Sequence, residues 1–270
     1  MQQSHFDALQ ALLASRSGYH LDSERAYLVA HRLAPLARRE NHASVAALLE
    51  SVLDKPVGAL GWAVIEAMLN TETWFMRDRR PFRSFRDELA PALSRARPGG
   101  RVRALSMGCS LGQEAYSLAM CALEAGAKIE ITAADLSGRA LDKAQSGLYT
   151  QFEVQRGLSA RKLLDHFEKA GDMWSVAPHL KSPVRFVRAN VLDEPVDTGF
   201  DVIFCRYVLA EMAPRHRVQA LDTLAQSLAP DGCLFLGENE AVAEAAATFR
   251  PVAGRAGLYV KTPIRTARSA

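Results

Sequence analysis

The fold is decided by residues 101–123, which read RVRALSMGCSLGQEAYSLAMCAL. Residues 102–107 form a short apolar run that is typical of a buried strand, and residues 113–123 repeat apolar side chains at helical spacing. The turn between them begins at Gly108 and ends at Gly112, two residues without a Cβ that would obstruct a close ligand. A strand, a glycine turn and a helix predict the opening unit of a doubly wound α/β sheet.

Strands and helices alternate along the chain after this unit, which predicts a mostly parallel sheet with helices on both faces. The predicted strands cover residues 102–107, 128–134, 184–187, 200–205, 233–236 and 258–261, the last of them at a sheet edge. The predicted helices cover residues 113–123, 137–146 and 214–228. Pro230 and Gly232 should stop the last helix. In such sheets, ligands bind at the carboxyl ends of the strands.

The first 70 residues contain helical patterns alone, near residues 4–16, 22–39, 43–54 and 57–69. We therefore expect a helical amino-terminal domain over residues 1–70 and an α/β domain over residues 71–270. Pro35 should kink the second helix or end it at Ala34, because proline removes a backbone donor.

A basic stripe lies on the second of these helices. It consists of Arg25, Arg32 and Arg39, which are seven residues apart and therefore share one face. The basic stripe is open to two interpretations, a solvated face or a docking surface for an acidic partner helix.

Composition narrows the class of protein. The chain has 270 residues, of which 49% are hydrophobic and 23% are charged, as is ordinary for a globular protein. A net charge of +3 gives no argument for binding nucleic acid or a membrane surface. Four cysteines without CxxC spacing favour buried reduced thiols over a metal site or disulfides. Because we see no signal peptide and no apolar run near ~18 residues, we expect a soluble, cytoplasmic protein without a metal.

Polar residues follow the predicted strands at the edge where a ligand should bind. Glu114 begins the helix after the glycine turn, Asp135 closes the second strand, and Asn190 follows the third. An acidic residue after the second strand usually accepts hydrogen bonds from a ribose, which suits a dinucleotide or S-adenosylmethionine. The dinucleotide pattern G-x-G-x-x-G is missing, and S-adenosylmethionine carries no phosphate that needs it. These residues therefore favour a methyltransferase over a dehydrogenase.

Motifs in a fixed order along the chain carry a resemblance to a known family. They occupy residues 16–18, 25–35, 71–78, 108–120, 134–137, 141–149, 200–206, 228–232 and 237–240. Over nearly its whole length the chain resembles the chemotaxis-receptor glutamate methyltransferases, the CheR family. The resemblance implies a Rossmann-like methyltransferase sheet, a small all-helical amino-terminal domain and a small β-subdomain inserted at about residues 152–183. It also implies S-adenosylmethionine as cofactor, S-adenosylhomocysteine as product, and glutamates on the cytoplasmic methylation helices of chemoreceptors as substrate.

The resemblance assigns roles to individual residues. The implied cofactor contacts are Thr71, Thr73, Arg77, Gly108, Glu114, Asp135, Asn190, Val191, Tyr207 and Val208. Arg77 is also implied to orient the substrate carboxylate, which makes it the catalytic residue. The basic stripe is implied to dock on the methylation helices. Because a glutamate has a pKa near ~4.3 and is ionised at neutral pH, the reaction needs no general base.

The chain departs from the family pattern after the fourth strand. Tyr207 stands where the family usually has an asparagine, and Glu211 stands at the usual position of a tyrosine. Thr71 also replaces an asparagine in the junction between the domains. Glu211 would place a second carboxylate near that of the substrate, which is unfavourable unless it is solvated or paired. An alternative is therefore a degenerate member that binds the cofactor and acts as an interaction or regulatory protein, or methylates another acceptor.

The inserted region is expected to form strands at residues 152–158 and 172–176 around a helix at residues 160–170. Its tip, residues 169–172, is short and has one glycine, Gly171. Family members that grip a receptor's carboxyl-terminal pentapeptide have a longer, glycine-paired tip, so we expect independence from that tether.

A nucleic-acid methyltransferase would use the arginines of residues 77–86 on phosphates. We expect no nucleic-acid partner, no membrane insertion and a monomer.

Overall fold

The computed structural model describes residues 2–53, 55–238, 240 and 248–262. Parts of the expected second domain, residues 239, 241–247 and 263–270, lie outside the described residues. The chain divides into two compact units. The helical unit comprises Met1–Thr71 with Ala210–Arg217, and the α/β unit comprises Glu72–Leu209 with Val218–Ala270. The segment Ala210–Arg217 is thus part of the helical unit, which no local sequence pattern predicts.

Twelve α-helices are described. They are α1 Gln3–Ser17, α2 Ala26–Arg39, α3 Val45–Val52, α4 Ala59–Met68, α5 Arg80–Ser84, α6 Ala90–Ala96, α7 Gln113–Glu124, α8 Gly138–Ser146, α9 Gln151–Gln155, α10 Ala160–His166, α11 Pro178–Lys181 and α12 Pro214–Ser227. A π-helical turn, Phe85–Leu89, joins α5 to α6. No helix in the described part of the chain is long and apolar enough to cross a membrane.

Ten strands are described. They are β1 Arg101–Met107, β2 Lys128–Asp135, β3 Leu148–Thr150, β4 Phe167–Ala170, β5 Met173–Val176, β6 Val184–Arg188, β7 Phe200–Phe204, β8 Leu228–Phe235, β9 Phe249–Pro251 and β10 Leu258–Lys261. Seven of them form one sheet in the order β6-β2-β1-β7-β8-β10-β9. The first five of that order are parallel, and β10 is antiparallel to both neighbours. The predicted mostly parallel sheet is confirmed.

The alternative that the second helix ends at Ala34 is wrong. The helix contains Pro35 and continues to Arg39. Leu33, Leu36 and Ala37 are buried on either side of the proline, so burial of this apolar face outweighs the lost hydrogen bond.

The carboxyl-terminal strands differ from the prediction in two ways. Strand β10 lies between β8 and β9 and is not an edge strand, because the short strand β9 pairs with it and takes the edge. Strand β8 begins at Leu228, although its start was expected at Cys233. Its pairing with β7 shifts register between Phe200 and Val202, and this irregularity accommodates Pro230 and Gly232 within the strand.

The inserted region also differs from the prediction. Residues 151–155 form α9 and no strand, because Thr150 and Glu153 form a capping box that starts a helix. The next helix, α10, ends at His166, and the residues after it pair as β4 with β5 around Gly171, which has a φ of 62°. The region is thus a three-stranded sheet of order β3-β5-β4.

Candidate active site

Three non-glycine residues with a left-handed backbone lie in the loop that precedes α5. Met76, Asp78 and Arg79 have φ values of 54°, 65° and 46°, a region that costs a non-glycine residue about 1–2 kcal/mol. The loop is anchored because Phe75 is fully buried and the Met76 N–H donates to Ser117 Oγ at 2.9 Å. These anchors hold the peptide of residues 72–79, which we call the junction loop, against α7.

A buried guanidinium joins the junction loop to the sheet. Arg206 lies two residues after the end of β7, and 1% of its side chain is exposed. It donates to Glu114 Oε2 at 3.1 Å, to the Arg77 carbonyl at 2.9 Å, and to Asp78 Oδ2. Sequence reasoning did not assign a role to Arg206, although a charged residue directly after the predicted strand at residues 200–205 was the available signal. A cation so deeply buried requires its paired carboxylates.

Glu114 lies in the first turn of α7, as predicted. Its Oε1 accepts a hydrogen bond from Ser106 Oγ at 2.8 Å, and its Oε2 accepts the bond from Arg206. Burial raises the pKa of Glu114, while Arg206 and Ser106 act in the opposite direction. Its position is therefore set by two side chains, one from β1 and one from the end of β7.

Asp135 closes β2 and has a fixed carboxylate. Oδ2 accepts the Ser110 N–H and Oδ1 accepts the Ser137 N–H, both at 2.8 Å. Asn190 lies at the same edge of the sheet, because the preceding residue Ala189 donates its N–H to the Asp135 carbonyl at 3.0 Å. Asn190 Oδ1 accepts the Leu192 N–H at 3.1 Å, and Val191 between them is buried. The structure thus brings Asp135, Asn190 and Val191 together.

The glycine turn packs against the protein itself. Gly108 has a φ of 75°, and a Cβ there would lie 2.4 Å from Val208 Cγ2. Gly112 has a φ of 92°, and a Cβ there would lie 2.8 Å from the Ala144 Cβ. Both glycines are explained by the left-handed backbone and by these close approaches. The predicted residues Gly108 and Val208 are therefore direct neighbours.

The guanidinium of Arg77 is held between two aromatic rings. Its Cζ lies 3.6 Å from the centroid of Tyr207 and 4.3 Å from that of Trp74. Its Nη1 donates to the Glu72 carbonyl at 2.8 Å. Within the described residues, its buried Nε has no hydrogen-bond partner. S-adenosylmethionine and a substrate glutamate both carry a carboxylate that would satisfy this donor, so the site fits the cofactor class.

Tyr207 adopts a strained backbone with a φ of 62°. Its N–H and that of Gly237 both donate to Glu240 Oε2 at 2.6 Å. Its hydroxyl donates to Asp78, and burial together with Asp78 raises the pKa of this phenol. The hydroxyl expected to contact a cofactor therefore has a protein partner. Glu240, which fixes the backbone here, was not among the predicted site residues.

Two predicted residues complete the junction. Thr73 is half-buried in the α/β unit, whereas Thr71 is exposed and is the last residue of the first segment of the helical unit.

The basic stripe has partners inside the helical unit. Arg25 donates to Glu211 Oε2 at 2.8 Å, and Arg32 donates to the Met68 carbonyl. Arg39, the most exposed of the three, pairs with Glu40 at 2.8 Å. Glu211 is thus a paired carboxylate, which removes the like-charge objection raised by its position in the sequence.

The sheet order, its antiparallel last strands and an acid that closes β2 define the class of S-adenosylmethionine-dependent methyltransferases. Residues 71–258 match the family model described as CheR methyltransferase, SAM binding domain, and residues 4–69 match the one described as CheR methyltransferase, all-alpha domain. The chain belongs to the CheR methyltransferase family.

Several proteins similar to this chain are named chemotaxis protein methyltransferases. The chain is 34% identical over 249 residues to chemotaxis protein methyltransferase Cher2 of Pseudomonas putida, which covers 88% of this chain and 90% of that protein. It is 35% identical to chemotaxis protein methyltransferase 1 of Pseudomonas aeruginosa, with the same coverage. It is 34% identical over 259 residues to the chemotaxis protein methyltransferase of Vibrio parahaemolyticus, covering 92% of this chain and 93% of that protein. The likeness spans both units.

The Arg206 network predicts a large loss of stability in Arg206→Met. This change leaves two carboxylates in the network without their cation, and we expect it to lower the free energy of unfolding by about 3–5 kcal/mol. The matched control is Arg101→Met, because Arg101 forms an exposed pair with Glu130 that contributes about 1 kcal/mol or less. Urea unfolding measures both, and equal losses would contradict the assignment of Arg206 as the structural centre of the site.

Proposed function

We propose that this protein methyl-esterifies glutamate side chains on the cytoplasmic methylation helices of chemoreceptors, with Arg77 orienting the acceptor carboxylate. As a CheR-family member it is an S-adenosylmethionine-dependent protein-glutamate O-methyltransferase. The observation that carries the role of Arg77 is its guanidinium, stacked between two rings with a buried Nε–H that has no acceptor among the described residues. Such a donor suits a carboxylate brought by a ligand.

The proposed cofactor site lies at the carboxyl ends of the parallel strands. Asp135 would accept the ribose hydroxyls, because two backbone N–H groups already fix its carboxylate at the end of β2. Asn190 and Val191 would hold the adenine, and the remaining proposed contacts are Thr71, Thr73, Arg77, Gly108, Glu114, Tyr207 and Val208. When bound, S-adenosylmethionine supplies an electrophilic methyl group on a positively charged sulfur.

The residues of this site act by positioning. The acceptor glutamate is ionised at neutral pH, so no residue has to remove a proton from it. Arg77 would present its guanidinium edge to the carboxylate and fix the direction of the nucleophilic oxygen. Holding reacting groups in line can contribute as much as ~7–11 kcal/mol. Exclusion of water from the carboxylate by the rings of Trp74 and Tyr207 would add to this effect.

Receptor recognition is proposed for the helical unit. Arg39 is the most exposed member of the basic stripe and is free to exchange its Glu40 partner for an acidic receptor helix. The hairpin between β4 and β5 turns on two residues, Gly171 and Asp172, and leaves a short tip. This short tip supports the proposal that the protein acts without a carboxyl-terminal pentapeptide tether. Because the proposed substrate helices are cytoplasmic, the reaction would take place in the cytoplasm.

The proposed role of Arg77 predicts a specific kinetic defect in Arg77→Lys. Lysine keeps the charge but loses the planar fork and the stacking, so we expect kcat to fall by about 100-fold, the effect of a misplacement near 1 Å. The measurement is radiolabelled methyl transfer to a receptor signalling fragment, with calorimetry of S-adenosylhomocysteine binding beside it. Arg80→Lys, at an exposed residue of α5, is the control. A wild-type kcat in Arg77→Lys would refute the role.

The recognition proposal predicts that a receptor's carboxyl-terminal pentapeptide does not bind with submicromolar affinity in calorimetry. It also predicts that Arg39→Glu raises the KM for an untethered receptor fragment by about fivefold, equivalent to roughly 1 kcal/mol for an exposed charge pair. Arg139→Glu, an exposed reversal on α8, should leave that KM unchanged. Submicromolar pentapeptide binding would overturn the tether proposal, and equal KM values for the two reversals would overturn the docking proposal.

A further inference from the structure

A second guanidinium shares the Trp74 ring with Arg77. The Cζ of Arg156 lies 4.0 Å from the centroid of the Trp74 ring, and the Cζ of Arg77 lies 4.3 Å from the same centroid. The Arg77 Cζ also lies 3.6 Å from the centroid of the Tyr207 ring. Arg156, Trp74, Arg77 and Tyr207 therefore form a guanidinium–aromatic stack, which is the name used for them below.

Arg156 comes from the inserted region and is tied to the junction loop by more than stacking. Its Nη2 pairs with Glu72 Oε1 at 2.7 Å, and this pair lowers the pKa of Glu72. Glu72 is also the residue whose carbonyl accepts the hydrogen bond from Arg77. The two guanidiniums are thus held by one residue and share one ring.

The backbone beside Arg156 leaves little freedom for this arrangement to shift. Gly157 has a φ of 103°, and a Cβ there would lie 1.8 Å from the Phe75 carbonyl oxygen. Phe75 also makes edge-to-face contacts with Tyr149 and Phe167, at centroid distances of 5.1 Å and 5.4 Å. The inserted region and the junction loop are therefore packed together beside Trp74.

The other end of the stack is equally constrained. The Tyr207 hydroxyl donates to Asp78, and its N–H donates to Glu240 at 2.6 Å. These contacts fix the Tyr207 side chain and its backbone. The backbone has a conformation that a non-glycine residue rarely adopts. The Tyr207 ring supplies a flat surface for a guanidinium.

We propose that Trp74, Tyr207 and Arg156 are positioning residues that fix the plane of the Arg77 guanidinium. Through Arg156, the inserted region controls how Arg77 meets the acceptor carboxylate. A guanidinium stacks on a ring better than an ammonium at each of the two positions, because an ammonium presents no flat surface to the ring. The inference rests on the proposed role of Arg77.

Nuclear magnetic resonance of the arginine Nε–H groups tests the stack without reference to activity. Protons held over an aromatic face resonate upfield, so the Arg77 Nε–H, assigned by its loss in Arg77→Lys, should be shifted upfield in the wild type. The shift should persist in Tyr207→Phe, which keeps the ring, and should diminish in Tyr207→Leu and in Trp74→Leu. An Arg77 Nε–H at the ordinary position in the wild type would overturn the proposal.

Kinetics test the link to the inserted region. The Arg156 side chain is about 40% exposed, so its stacking should contribute only part of the orientation of Arg77. We therefore expect Arg156→Lys to lower kcat by about 2- to 5-fold. The KM for the receptor fragment and the affinity for S-adenosylhomocysteine should stay unchanged. Arg161→Lys, at a side chain 89% exposed on α10, is the matched control and should behave as wild type.

A double-mutant cycle separates positioning from simple destabilisation. The losses in kcat from Arg156→Lys and Trp74→Leu should be less than multiplicative when combined, because both act through the same contact. Multiplicative losses, or an Arg156→Lys variant that matches Arg161→Lys, would overturn the role of Arg156. If the wild type transfers no methyl group, the proposed function fails, whereas the resonance of Arg77 still decides whether the stack exists.

Discussion

The buried cation of Arg206 is the interaction on which the arrangement of the site depends. Its guanidinium ties the junction loop, through Asp78 and the Arg77 carbonyl, to Glu114 at the start of α7. Desolvating a cation is costly, and it is tolerated here because two carboxylates and a carbonyl surround it. The left-handed residues of the junction loop persist because these contacts over-determine them. The orientation of Arg77 follows from this network and from the two rings that hold it.

The departures of this chain from its family acquire physical explanations in the structure. Tyr207, where the resemblance implies an amide, donates its hydroxyl to Asp78 and stacks its ring on the Arg77 guanidinium. Glu211, where the resemblance implies a tyrosine, accepts a hydrogen bond from Arg25 at 2.8 Å within the helical unit. Neither substitution leaves a polar group that opposes a carboxylate substrate. The contacts of Tyr207 and Glu211 therefore support an active enzyme over a degenerate family member that only binds the cofactor.

Periodicity in the sequence was enough to predict the strand, turn and helix at residues 101–124 and the mostly parallel sheet around them. Local patterns failed where pairing or burial decided the structure. Strand β9 has three residues and exists through its pairing with β10, and α2 passes Pro35 because its apolar face is buried. The pairing of Arg25 with Glu211 joins residues 186 apart, and no local pattern records it. Family motifs named Arg77 and Asp135, whereas Arg206 required the fold.

The central claim is that this protein forms methyl esters on glutamate side chains, and the stability of the transferred methyl group in alkali tests it most directly. The purified protein is incubated with methyl-labelled S-adenosylmethionine and a receptor signalling fragment, and the fragment is then treated with base. Carboxyl methyl esters hydrolyse under these conditions, so the account predicts that the label is transferred and is released as volatile methanol. Absence of transfer, or label that remains on the fragment after base, would contradict it.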